Sequence, residues 1–182
     1  GYFNGSIDEV RIYNRALSAE EVRYHYNRGG PVAHWKMDEG EGRTVYDSTE
    51  NNNDGTLVLA GSATSSAWVS GKYGSALSFD GVDDYVDYGN GSSLRMTGSM
   101  TIEGWFKADI IEDARLVSKV GGGSARAYFT DISLSKLRFE IASDSSTLVA
   151  HTGNTTLLAD TWYHFAGVYN ASAQTMDVFL NG

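Results

Sequence analysis

The chain has 182 residues, enough for one domain of ordinary size. Apolar residues make up 41% and glycines number 21, a composition that fills one core and favours many turns over long helices. A net charge of −9 argues against nucleic acid or anionic lipid as partner, and the absence of cysteine excludes disulfides and thiolate chemistry.

In chain order, residues 7–13 alternate as a strand, with Asp8, Val10 and Ile12 on one face and Ile7, Glu9, Arg11 and Tyr13 on the other. A carboxylate sharing a face with two aliphatics must be paired, bound to a cation, or hydrated at the strand mouth. Ser18 then stands at an N-cap position, Glu21 closes a capping box three residues on, and Leu17 can staple onto Val22, so a short helix is expected over residues 19–26. Gly29 suits the position after that helix and Pro31 forbids its continuation, leaving residues 27–31 as a connector.

Beyond the proline, short strand-like runs follow one another: 33–37, 76–79, 85–88, 100–107, 116–119, 125–131, 161–169 and 175–180. The clearest is 137–141, where Leu137, Phe139 and Ile141 alternate with Arg138 and Glu140. The glycine-rich stretch 121–124 reads as a hairpin tip, and clusters of Gly, Asn, Asp or Ser separate many of the other runs. This rhythm predicts an all-β, antiparallel two-sheet sandwich with one short helix near the N-terminus. No run of 18 apolar residues is present, so neither a membrane span nor a signal peptide is expected within the 182 residues.

The segment from Phe3 through Ser18, containing Ile7-Asp8-Glu9-Val10-Arg11-Ile12-Tyr13, resembles the closing strand and following turn of laminin-G-like domains in the concanavalin A-like lectin and glucanase superfamily. So do His34-Trp35-Lys36-Met37-Asp38-Glu39-Gly40 with Asp47-Ser48, Gly74 through Val86, Met100 through Phe106, Trp162 through Tyr169, and Val178 through Gly182. The resemblance implies a jelly-roll sandwich spanning residues 1–182, in which 1–29 correspond to the family's C-terminal strand and turn and 31–182 to its N-terminal and central strands. The family's last strand thus stands first, as in a cut from a tandem array or a circular permutation. Two strands that the family places between segments like 180–182 and 1–5 are absent. An unpaired edge beside 175–180 is expected to recruit a partner, as a homodimer or by strand exchange.

The loop from Asp47 to Gly55 offers closely spaced oxygens, with Asp47, Asn52 and Asp54 as candidate metal ligands. Calcium takes six to eight such oxygens, but an Asx-rich turn capped by its own side chains explains the same residues. The resemblance implies a structural Ca²⁺ where first and last strands meet, with Asp8 reaching the same place. A second acidic cluster, Asp80, Asp83, Asp84 and Asp87, reads as a solvated turn.

Glycoside hydrolysis requires two carboxylates held about 5 to 9 Å apart, and no strand presents them at alternating positions. The histidines His25, His34, His151 and His164 show no metal-ligand spacing. The chain is therefore expected to be no enzyme. Trp35, Trp105 and Trp162 sit inside strand motifs and read as core, which leaves Trp68 and Tyr128 as the candidate ligand-stacking residues. The expected function is a non-catalytic recognition module at the cell surface or outside the cell, binding a glycan or other surface polymer; the alternative is a structural or adhesion repeat without a small ligand.

Overall fold

Alternation of side chains decides the main layers of the structure, a computed structural model that describes residues 16, 31–59, 67–119, 127–142 and 148–182. The chain resolves into units Gly1–Val32 and Ala33–Gly182, and nearly all described residues belong to the second. The predicted strand at 7–13, the helix at 19–26, Asp8 and the tip at 121–124 lie outside the described residues.

The described strands are β1 (Thr44–Val45), β2 (Gly55–Val58), β3 (Trp68–Ser70), β4 (Ser75–Leu77), β5 (Tyr85–Asp87), β6 (Met100–Phe106), β7 (Ala114–Lys119), β8 (Ala127–Ser133), β9 (Lys136–Ala142), β10 (Leu148–Thr152), β11 (Tyr163–Asn170) and β12 (Thr175–Leu180). All pairings are antiparallel. One large sheet runs β10-β9-β8-β7, a second β12-β11-β6, and two smaller ones are β1-β2-β5 and the β3-β4 hairpin. The expected strand at 33–37 is reduced to a single bridge between Trp35 and Asp47, because Met37 turns to a φ of 57° and ends the extended run.

The two large sheets meet through their alternating inner positions. From β9 come Leu137, Phe139 and Ile141, all nearly inaccessible, and from β8 Tyr128 and Ile132. Met100, Ile102, Tyr169, Met176 and Val178 pack on one end of this layer, and Phe106, Tyr163 and Leu180 on the other. Gly167 marks the closest approach of the sheets, since a Cβ there would lie 2.6 Å from Cγ of the fully buried Phe139 ring. A smaller apolar cluster, Leu57, Leu59 and Ala67 with Leu77 and Val86, ties β2 and β5 to the β3-β4 hairpin.

Candidate functional site

Burial of Ile102 and Phe106 on the inner side of β6 sends Glu103 and Trp105 to the outer face. Trp105 is 40% exposed, so the expectation that it belongs to the core is corrected: it occupies the outward phase of an amphipathic strand. Opposite it on β11 stands His164, and the β12 side contributes Asn181. His164 donates its backbone N–H to Asn181 Oδ1 at 3.0 Å and accepts from the Asn181 N–H at 2.9 Å, which fixes the row Trp105, His164, Asn181 from β6 through β11 to the residue just past β12. The rings of Trp105 and His164 meet edge to face, with centroids 5.2 Å apart.

The turn between β3 and β4 supplies the remaining side of this face. Gly71 N–H donates to Gly74 O, Gly74 adopts a φ of 56° hard against the Asp38 carboxylate, and Ser75 N–H donates to Asp38 Oδ1 at 2.9 Å. The turn so anchored carries Lys72 and Tyr73. Tyr73, 72% exposed, approaches Trp105 edge-on at 5.8 Å, and Lys72 Nζ lies 5.1 Å from the Trp105 ring centroid. Lys107, just past β6, places Nζ 5.8 Å from the centroid of Trp162, just before β11. Lys72, Trp105, Trp162, His164 and Asn181 line an open depression of about 500 Å³. Glu103 stands beside it, with Oε2 4.0 Å from His164 Nε2.

The residues selected from sequence fall elsewhere. Tyr128, expected as a free stacking face, is buried to 6% exposure between the sheets and donates its hydroxyl to Leu94 O at 2.8 Å; it is a core residue, because its position on β8 has the inner phase. Trp68 is half-buried on the β3-β4 hairpin, donates its indole N–H to Gly42 O, and does not line the depression. Trp35 and Trp162, also expected in the core, are both half-buried: Trp35 donates to Asn53 O and stacks on Tyr88 with centroids 3.9 Å apart, while Trp162, just before β11, lines the depression.

The loop from Asp47 to Gly55 is a self-capped turn. Asp47 Oδ1 accepts the backbone N–H groups of His34 and Thr49, and Oδ2 accepts Thr49 Oγ1, the Asn53 N–H and the Asn53 amide. Burial alone would raise this carboxyl, but the donors from His34, Asn53 and Thr49 outweigh it and hold its pKa at about 2. Asp54 Oδ1 accepts the Asp47 N–H, and the Asn52 amide donates to Glu50 O. Both Asp47 oxygens are thus taken up by N–H and O–H donors, so Asp47 itself turns no free oxygen toward a cation, while Asp8, the other residue the resemblance brings to this place, lies outside the described residues. Asp80, Asp83 and Asp84 do bring carboxylate oxygens within 4.8 Å of one another, but Asp80 Oδ1 caps its own turn by accepting from Val82 and Asp83.

Sequence reasoning missed one pair of buried carboxylates. On the outward phase of β8 and β9, Asp131 and Glu140 both bind Arg138, at 2.7 Å and 2.8 Å. Burial raises the Glu140 carboxyl, and Arg138 opposes the rise. Search for paired carboxylates along a single strand could not find them, because the pair forms across two strands; the signal available was Arg138 alternating with Glu140 between buried aliphatics.

Two antiparallel sheets packed face to face define a β-sandwich. The family model described as the concanavalin A-like lectin/glucanases superfamily matches residues 80–182, more than half of the chain, which therefore belongs to that superfamily as a laminin-G-like domain. No curated protein and no solved structure matches it. Membership makes the domain a carbohydrate-binding or structural module.

Proposed function

We propose that the domain is a non-catalytic carbohydrate-binding module of the cell surface or extracellular space, and that the outer face carrying Trp105 is its binding surface. The observation that carries this reading is the open depression in which two tryptophans lie beside the polar groups of His164 and Asn181. Pyranose rings present flat C–H faces to indoles and hydroxyls to such polar neighbours, which is the usual division of labour in a sugar site. The non-catalytic part is supported by the carboxylates: Glu103 faces His164 beside the depression, while Asp131 and Glu140 are both held in ion pairs by the one Arg138.

Trp105→Ala is expected to weaken binding in a glycan-array or affinity-electrophoresis assay by about tenfold to a hundredfold, the loss of one or two stacked contacts. Trp105→Phe, which preserves a ring on the same strand position, should keep part of the affinity. Silence of the wild-type domain across a broad array would favour the structural module instead.

A further inference from the structure

The rings of the depression are not bare. Each of its two tryptophans has a lysine ammonium beside it, Lys72 at 5.1 Å from the centroid of Trp105 and Lys107 at 5.8 Å from that of Trp162. Both lysines are exposed and come from independent elements, the β3-β4 turn and the end of β6; Lys72 lines the depression, and Lys107 stands beside it through the Trp162 ring. This concentration of positive charge stands out in a chain with 14 basic and 23 acidic residues and a net charge of −9. A third such pair, Arg115 at 4.4 Å from the Phe129 ring centroid, lies away from the depression; Lys72 and Lys107 differ in that the rings they face line it. The facing ring holds each ammonium near the depression, so the pair forms a partly prearranged receptor for negative charge.

We infer that the ligand is an acidic polysaccharide, whose sugar rings lie against Trp105 and Trp162 while its anionic groups meet Lys72 and Lys107. The inference rests on the carbohydrate reading and narrows it from sugars in general to charged ones. Of the carboxylates beside this face, Glu103 faces His164 at 4.0 Å and Asp38 accepts the Ser75 N–H of the β3-β4 turn. Among the described residues the two ammonium groups have only the rings as partners, and a neutral polymer would leave them otherwise to water. A carboxylate or sulfate ester pairs with each through a charge-assisted hydrogen bond.

The test is affinity electrophoresis of the 182-residue protein through gels containing polygalacturonate, dextran sulfate, neutral galactan or neutral dextran, at low and high salt. Retardation is expected in one or both anionic gels and not in the neutral ones, and it should weaken as salt rises. Retention by polygalacturonate identifies carboxylates as the recognised group, and retention by dextran sulfate identifies sulfate esters. The double substitution K72Q/K107Q, on two exposed side chains, should weaken anionic binding by about tenfold with the melting temperature unchanged. Retardation by neutral polymers that W105A abolishes and K72Q/K107Q leaves intact would overturn the charge inference while preserving the carbohydrate reading. Anionic binding that survives W105A would overturn both, since the depression would not be the site. Loss of anionic binding on K72Q alone, with W105F retaining half or more of it, would support the inference and assign the larger share to the β3-β4 turn.

Discussion

Asp47 concentrates more hydrogen bonds than any other described carboxylate. Its five donors hold the ionised form in the native state, while the same group in the unfolded chain titrates near 3.8. A folded pKa depressed to about 2 contributes stability that is fully present above 3.8 and is lost as pH falls through about 2. The shift corresponds to roughly 2 kcal/mol. Urea titrations over this window should show the acid limb of the wild type flattened in Asp47→Asn, and a limb of unchanged slope would remove the argument. The importance of Asp47 was legible in the sequence, because an aspartate opening a run of Ser, Thr and Asn is what a capped turn needs. Its role was not, since the same oxygens suit calcium until the directions of their donors are known. Trp105 and Tyr128 were misjudged for the complementary reason: an aromatic within a strand is inner or outer according to phase, and phase depends on which face the partner sheet covers.

Strands with one wet and one dry face were readable from their alternation, and β6, β9 and β12 fall within a residue of the expected bounds. The short strands β1, β2 and β3, and β10, were missed because they carry few or no alternating apolar positions to set a period. The β8-β9 hairpin hides for a different reason. Its two loop residues, Leu134 and Ser135, have φ values of 51° and 61°, the left-handed pair of a type I′ turn, with none of the Asn or Gly that usually announces one. Leu134, 84% exposed, gains no packing there, and its N–H donates to Asp113 Oδ1. Replacing Leu134-Ser135 by Asn-Gly should therefore raise stability by about 1 to 2 kcal/mol, read as a rise in thermal midpoint. A fall would mean that Leu134 makes contacts its exposure does not indicate.

At the scale of the molecule, stability rests on the interlock of two sheets about Phe139 and Gly167 and on the satellite cluster beneath the β3-β4 hairpin. In the loop from Asp47 to Gly55 the Asp47 carboxylate is taken up by hydrogen bonds. Removal of divalent ions with EGTA should accordingly move the melting temperature by less than about 1 °C, whereas an ion held at a hundred times its dissociation constant would contribute about 2.7 kcal/mol. A drop of several degrees would locate a structural ion elsewhere in the chain.

The row Trp105, His164, Asn181 runs from β6 through β11 to the residue just past β12, where two hydrogen bonds tie Asn181 to His164, so the sheet itself sets its spacing. On the proposed carbohydrate reading, encounter needs no folding of a loop around the polymer, and little freedom is surrendered on docking beyond that of two lysine stems. Such a scaffold divides its adaptability unevenly: the ladder sets where a sugar can rest, while the Lys72-Tyr73 turn, built on a hairpin of its own, is the part that can be rewritten to choose among sugars without disturbing the layers beneath.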